Sequence, residues 1–251
     1  MSAGSDHGDL IRRIHQMLGG FEILAPGDVA AVAALGYEPE RKRQATVVLA
    51  GDTALELGAP GTPSVCRALW TRERRLVTDR VYVRSGVEEM EGGSSSDGNR
   101  GKSKSLALLA LVELPEDLDP LEGPVAGVLH LTHRLPLVMT RSLSGRLWIR
   151  VHRRAADSFT PRALAQTVRA AYAAELPGIG RVDVVLVVGD DARVRALEPL
   201  AAAAAVVDGE HRRLRWEEDG GISCSDLDCR TCDEKPVCDT IREVITFRRR
   251  K

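Results

Sequence analysis

The stretch that most constrains the fold lies at residues 182–188, which read Val-Asp-Val-Val-Leu-Val-Val. An apolar run this short and this continuous is typical of a β-strand that is covered on both faces. A strand with one face in water would instead alternate apolar and polar residues. The sequence therefore predicts a layered domain in which this strand is central.

A helix is predicted immediately before that strand. Thr160 supplies an N-cap side chain, and Pro161 takes the first helical position, where its missing N–H costs nothing. Pro177 and Gly178 then stop the helix. The apolar stripe of this helix follows helical spacing and consists of Leu164, Val168, Ala171 and Tyr172.

A second helix is predicted after the strand, at residues 191–205, which gives the second half a strand–helix–strand–helix order. This order predicts an α/β fold (mixed α+β layers) for residues 106–251, which end in a four-cysteine metal-binding segment. Residues 1–105 are predicted to form an α+β region. The other predicted elements are helices at 10–18 and 26–35 and strands at 44–50, 76–83, 105–114, 128–137, 146–152 and 213–217.

The boundary between the two regions is a Gly/Ser-rich stretch at residues 91–105. It contains no large apolar side chain, so burial cannot offset the entropy lost on ordering it. We therefore predict a flexible loop that ends the first region.

Charge and composition argue against several classes of protein. A formal net charge of −1 and a pI near 6.6 give no reason to expect a nucleic-acid or membrane partner. The longest apolar run, residues 199–207, is far shorter than the roughly 20 residues of a bilayer span, and the amino terminus does not resemble a secretory signal. A cytoplasmic location is expected, where disulfides are rare, so the five cysteines need another explanation.

Four of these cysteines, Cys224, Cys229, Cys232 and Cys238, fall within fifteen residues in the spacing C-x4-C-x2-C-x5-C. Thiols this close in sequence can converge on one point, because a C-x2-C pair spans a single tight turn. Four thiolates suit either an iron–sulfur cluster or Zn²⁺. The segment therefore predicts one metal centre that uses all four cysteines as ligands.

Two features favour a [4Fe–4S] cluster, with zinc as the alternative. Structural zinc sites commonly use two separated C-x2-C pairs, whereas these cysteines form one compact run. Residues 240–243, Thr-Ile-Arg-Glu, fit a capping box and predict a helix that begins directly after Cys238. The amino terminus of such a helix would favour an anionic, thiolate-bound cluster beside it.

Other candidate sites carry weaker signals. Gly101-Lys102-Ser103 lacks the earlier glycine and the preceding strand of a phosphate-binding loop. His130 and His133 lie in a predicted strand, where positions three apart point to opposite faces. Cys66 stands among apolar residues and is interpreted as a small buried hydrophobe.

Three stretches, in order along the chain, resemble the beta subunit of the carbon monoxide dehydrogenase/acetyl-CoA synthase complex. Residues 53–60, Thr-Ala-Leu-Glu-Leu-Gly-Ala-Pro, are similar to that family's "ELGGP" strand and turn, and run on to Val-Tyr-Val at 81–83. Residues 147–151, Leu-Trp-Ile-Arg-Val, are similar to its "VWMRV" strand. Residues 157–177, from Asp-Ser-Phe to Ala-Glu-Leu-Pro, are similar to its "DSF…TELP" helix, and the cysteine segment follows.

The sequence also departs from this family. The family's cluster segment has a longer gap between its second and third cysteines, and its fourth cysteine lies further downstream. Here Cys224 lies upstream, so its assignment as the fourth ligand is our inference. The family also holds its distal nickel in a Cys-Gly-Cys tripeptide, and this sequence contains no Cys-x-Cys.

The resemblance therefore implies an accessory or electron-transfer iron–sulfur component of one-carbon (CO/acetyl-CoA) metabolism that has no nickel site of its own and works with a protein or redox partner. Two alternatives stay open. One is a zinc-stabilised binding module, and the other is an acyl-transfer or redox enzyme subunit that depends on a partner chain.

Overall fold

The structure is a computed structural model that describes residues 7–38, 46–86, 103–116, 125, 128–129, 135–143, 145–211, 214–216 and 222–224. The chain divides into two compact units, Met1–Ala205 and Val206–Lys251. Its helices are α1 (Gly8–Gln16), α2 (Val29–Ala34), α3 (Pro161–Glu175) and α4 (Asp191–His211). Its strands are β1 (Glu22–Leu24), β2 (Thr53–Leu57), β3 (Ser64–Thr71), β4 (Val81–Ser85), β5 (Leu106–Glu113), β6 (Val138–Leu143), β7 (Arg146–His152), β8 (Val182–Val188), β9 (Leu214–Trp216) and β10 (Ile222–Cys224).

A five-stranded mixed sheet in the order β1-β4-β8-β5-β3 forms the centre of the first unit. Strand β8 runs parallel to β4 and antiparallel to β5, and β3 runs parallel to β5. All seven residues of β8 are buried, as their apolar run predicts. The fold is thus mixed α/β, which confirms the predicted class.

Helices cover both faces of this sheet. On one face, α3 packs against β4 and β8 with α2 beside it, and its predicted stripe of Leu164, Val168, Ala171 and Tyr172 is fully buried. On the other face, the side chains that close the core come from α1 and α4; they are Ile11, Ile14, Val194, Leu197 and Leu200.

A second, antiparallel sheet in the order β2-β7-β6 adjoins the edge strand β3. The hydroxyl of Ser64 donates to the carbonyl of Leu147 at 2.7 Å and accepts from its N–H at 3.1 Å. The N–H of Cys66 also donates to the carbonyl of Gly145 at 2.6 Å. The bond from Cys66 satisfies a backbone donor that the edge strand β3 would otherwise leave open, and the bonds of Ser64 satisfy the main chain of Leu147 in β7.

Several predicted elements match the structure closely. The hydroxyl of Thr160 accepts from the N–H of Ala163 at 3.1 Å, so the predicted N-cap of α3 is confirmed. The strands predicted at 146–152 and 182–188 have the same bounds as β7 and β8. The helix predicted at 191–205 is confirmed at its start and continues to His211 as α4.

Three predicted strands differ from the structure. Residues 46–49 belong to no strand: Val48 is buried, but Val47 and Leu49 are 71% and 65% exposed, and none of the four residues pairs with a strand in the part of the chain that the structure describes. The strand predicted at 76–83 begins only at Val81, because Asp79 takes a left-handed conformation with φ of 61°. The strand predicted at 128–137 is wrong at its described positions, since 128–129 are 3-10 helical and Leu137 has φ of 60°.

The expected boundary at residue 105 falls inside the five-stranded sheet, which combines β3 and β4 with β5 and β8. The carboxyl end of the predicted loop is also held in place. The N–H of Lys104 donates to the carbonyl of Glu56 at 2.9 Å, and its carbonyl accepts from Gly58 at 2.8 Å. Most of the predicted loop, residues 91–102, lies outside the described residues.

A buried carboxylate ties three parts of the first unit together. Asp183, in β8, is fully buried and accepts from the N–H of Arg80 at 2.8 Å and from the N–H and hydroxyl of Thr78 at 3.1 Å. The Nε2 atom of His15, in α1, lies 3.0 Å from the same carboxylate. Because every one of these groups can donate, they compensate for the removal of the carboxylate from water.

We expect Asp183→Asn to lower the free energy of unfolding by about 2 kcal/mol or more, because an amide offers a donor where these partners need an acceptor. Urea unfolding followed by circular dichroism measures the loss. The matched control is Asp157→Asn at an exposed position, which should change stability by less than about 0.5 kcal/mol. Equal effects of the two substitutions would contradict the role given to Asp183.

Candidate metal centre

The first predicted ligand, Cys224, is the last residue of strand β10. Strand β10 pairs with β9 in an antiparallel ladder that sets Ile222 opposite Trp216 and Cys224 opposite Leu214. The main chain of Cys224 is therefore fixed by a neighbouring strand, within the second compact unit. The ladder ends at Cys224, the first cysteine of the segment.

The other three predicted ligands, Cys229, Cys232 and Cys238, lie outside the described residues. Within the described part of the chain, no group of three or more His, Cys, Asp or Glu side chains could hold a metal ion. The four-cysteine centre therefore stays a prediction from sequence spacing, with one of its four positions located on a strand.

Cys66 is the one free cysteine that the structure describes with its side chain, and it lies in the core. It sits in β3 with 8% of its surface exposed, on the side of the sheet that faces α3. Burial raises the pKa of its thiol to about 12, although Arg67 opposes this shift. A thiolate is the form that binds metals and attacks electrophiles, so Cys66 is suited to neither role.

The apolar surroundings of Cys66 explain why the pKa of its thiol is raised. Tyr172 is fully buried in the same cluster, and its hydroxyl donates to the carbonyl of Val125 at 2.8 Å. Burial, followed by the proximity of Cys66 and Glu175, raises the pKa of Tyr172 well above its usual value. Both groups are thus held neutral by an apolar environment, which confirms the interpretation of Cys66 as a buried hydrophobe.

The weaker sequence candidates are only partly described. His130, His133, Gly101 and Lys102 lie outside the described residues. Ser103 is described, and its hydroxyl accepts from the N–H of Ala59 at 2.9 Å. This bond anchors residue 103 to the turn before β3.

Two histidines that the sequence did not single out are engaged in the fold. His7 is fully buried; its Nδ1 accepts from the N–H of Trp70 at 3.0 Å, and its Nε2 donates to the carbonyl of Ala204 at 3.2 Å. Since both ring nitrogens are used, His7 has no lone pair left for a metal. His15 forms the hydrogen bond to Asp183 described above. The sequence signal for this polar cluster was Asp183 itself, the single acidic residue within the apolar run 182–188.

Within the part of the chain that the structure describes, no helix has both the length and the apolar character needed to cross a bilayer. No known family model matches this chain, and a search of curated proteins finds no match to it.

We expect Cys66 in the folded protein to react with iodoacetamide at least about 100-fold more slowly than in the unfolded chain, because the buried thiol is almost never ionised at neutral pH. Peptide mass spectrometry after timed labelling measures the rate. Cys66→Ala should leave the metal content of the purified protein unchanged. Rapid alkylation of the folded protein would show that this thiol is accessible. Loss of metal in Cys66→Ala would show that it contributes to the metal site.

Proposed function

We propose that this chain is an iron–sulfur protein that holds one [4Fe–4S] cluster through Cys224, Cys229, Cys232 and Cys238. The observation that carries the proposal is the C-x4-C-x2-C-x5-C spacing of four cysteines within fifteen residues, among charged rather than apolar neighbours. Buried structural cysteines usually sit in apolar runs, as Cys66 does. Four thiolates are also the ligand set that such clusters use.

The described residues support this assignment in two ways. Cys224 is placed at the end of a paired strand, which gives one ligand a fixed main chain. Cys66 is sealed in the core of the other unit, so it does not compete for the metal. Under this proposal the four clustered cysteines form a complete ligand set without help from Cys66.

The size of the second unit supports a bound metal as well. Residues 206–251 form a compact unit of their own, and a segment this short rarely folds on its hydrophobic core alone. A metal centre adds folding energy by joining ligands that are far apart in the unfolded chain. The same observation favours the second candidate function, a binding module in which Zn²⁺ closes this unit.

The resemblance to the acetyl-CoA synthase beta subunit gives the biological setting of the proposal. We propose an accessory or electron-transfer component of one-carbon (CO/acetyl-CoA) metabolism, acting in the reducing cytoplasm with a protein redox partner. The sequence lacks a Cys-x-Cys tripeptide for a distal nickel. A subunit that performs acyl transfer or redox chemistry would therefore need a partner chain to complete its metal site.

Replacing Cys229 or Cys232 with Ala should reduce the iron content of anaerobically purified protein from about four atoms per chain to below about one, because a cluster that loses a thiolate becomes labile. Iron and sulfide analysis with electron paramagnetic resonance after reduction provides the measurement. Cys66→Ala is the matched control and should keep the wild-type signal. Colourless wild-type protein with stoichiometric zinc would contradict the cluster and support the zinc-binding module instead.

The purified single chain should bind no stoichiometric nickel and should not exchange CO into the carbonyl group of acetyl-CoA. The reason is that Cys66, the one thiol outside the cluster segment, is buried and protonated, so it cannot help to build a thiolate site for nickel. Nickel analysis and an isotope-exchange assay measure both properties. Robust exchange with one nickel or more per chain would favour the enzyme alternative.

A further inference from the structure

One end of the five-stranded sheet opens into a cleft of about 680 Å³, lined by residues that are far apart in sequence. The carboxyl ends of β4 and β8 meet there with the amino ends of β3 and β5 and with the first turns of α4. Ligand sites in proteins commonly have volumes of about 300–1,000 Å³, and in open α/β sheets ligands bind beyond the carboxyl ends of strands, which β4 and β8 contribute here. The cleft lies entirely within the first unit.

The main chain of β8 turns almost directly into α4 at the floor of this cleft. Only Gly189 and Asp190 separate the two elements, and Gly189 has φ of 72°. Gly86, at the end of β4, approaches so closely that a Cβ on it would lie 2.3 Å from the carbonyl oxygen of Gly189. Gly86 and Gly189 therefore place no side chain of their own between these strand ends and the helix.

The amino terminus of α4 has main-chain donors that meet no acceptor in the part of the chain that the structure describes. Asp190 caps the helix by accepting from the N–H of Arg193 at 3.0 Å. The N–H groups of Asp191 and Ala192 have no acceptor among the described residues, as expected for the first turn of a helix. With the positive end of the helix dipole, these groups favour an anion.

A second and independent feature points to a ligand. Ser105 lines the cleft and is fully buried, yet its hydroxyl has no hydrogen-bond partner among the described residues. Ser105 directly precedes β5. Side chains two positions apart in a strand share a face, so Ser105 lies on the same side of the sheet as Ala107, which is the side on which α4 packs. Its neighbour across the sheet is Gly189, whose N–H donates to its carbonyl at 2.9 Å. An unsatisfied buried hydroxyl is costly, and a bound polar ligand would satisfy it.

The charges at the cleft also suit an anion. Arg195 is exposed, lines the cleft, and has no hydrogen bond or ion pair with any described residue. The side chain of Lys104 passes over Gly189, 3.7 Å from where a Cβ would stand. Against these two cations stands the exposed carboxylate of Asp191.

The nearby carboxylate of Asp190 is already neutralised. Arg84 donates to it from Nε at 2.6 Å. Burial acts to raise the pKa of Asp190, but the bonds from Arg84 and from the N–H of Arg193 outweigh that effect and lower it. Asp190 therefore adds no uncompensated negative charge beside the cleft.

We propose that this cleft binds a phosphate group, with the N–H groups of Asp191 and Ala192, the hydroxyl of Ser105 and the guanidinium of Arg195 as its donors. The volume of the cleft leaves room for an organic part attached to the phosphate. Both a free phosphate ion and a phosphate monoester present the required oxygens. The site is independent of the cysteine cluster and of the function proposed for it.

The test is a titration of the full-length, isotope-labelled protein with inorganic phosphate, and separately with glycerol 3-phosphate, at constant ionic strength. Amide resonances of Gly189, Asp191 and Ala192 should shift and saturate. A lower Kd for the monoester would assign the site to an organic phosphate, and equal Kd values would assign it to the free ion. Absence of saturable shifts at these amides with both compounds would overturn the proposal.

Two variants distinguish phosphate binding at a defined site from general attraction to positive charge. Arg195→Gln should raise the Kd by about tenfold, because it removes a charge-assisted bond. The matched control, Arg13→Gln, removes another exposed arginine, from α1, and should leave the Kd unchanged. Equal weakening by both variants would show that phosphate is held only by the overall charge, and would overturn the site.

Ser105→Ala gives a signature that a purely structural role would not produce. It should raise the Kd by about fivefold while leaving the thermal midpoint of the phosphate-free protein unchanged or higher, because the hydroxyl that is lost has no hydrogen-bond partner among the described residues. A lower midpoint with an unchanged Kd would show that Ser105 serves the fold rather than the ligand. The Cys229→Ala variant should bind phosphate like the wild type, which separates this result from the fate of the metal centre.

Discussion

Strand β8 lies between two strands in its sheet and between two helical layers, and the architecture of the first unit follows from the need to fill all four sides. Its main chain pairs with β4 on one side and β5 on the other. Its side chains divide between the α3 face and the α1/α4 face. Each large aliphatic side chain buried in this way contributes about 1.5–3 kcal/mol. No local segment could supply those partners, so α1 from the beginning of the chain and α4 from beyond β8 must meet on one face.

The two ends of β8 serve different purposes. Near its start, the buried carboxylate of Asp183 is satisfied by donors from α1 and from the connection before β4, which fixes that connection to the sheet. Beyond its end, Gly189 leaves the sheet without a side chain, and the cleft in front of it is lined by donors, such as the hydroxyl of Ser105, that have no acceptor among the described residues. Polar groups at the first end stabilise the fold, while those at the second end are available to a ligand.

The candidate sites differ in how far the sequence could reveal them. The cysteine segment is local, so its spacing alone indicates a shared metal, and the apolar neighbours of Cys66 correctly indicated a buried thiol. The cleft could not be predicted from local sequence in this way. Gly86, Ser105 and Arg195 come from three separate segments and meet only because β4, β8 and β5 are adjacent in the sheet.

The sequence by itself determined the features that depend on neighbours along the chain. These include the apolar run of β8, the cap of α3 at Thr160 and the mixed α/β class. Tertiary structure decided which apolar runs became strands. Val47 and Leu49 have strand-like chemistry but pair with no strand among the described residues, and Asp79 interrupts the run before β4 by adopting a left-handed turn. Tertiary structure also placed β5 between β8 and β3 within one sheet, because strand pairing satisfies main-chain groups that carry no residue-specific signal.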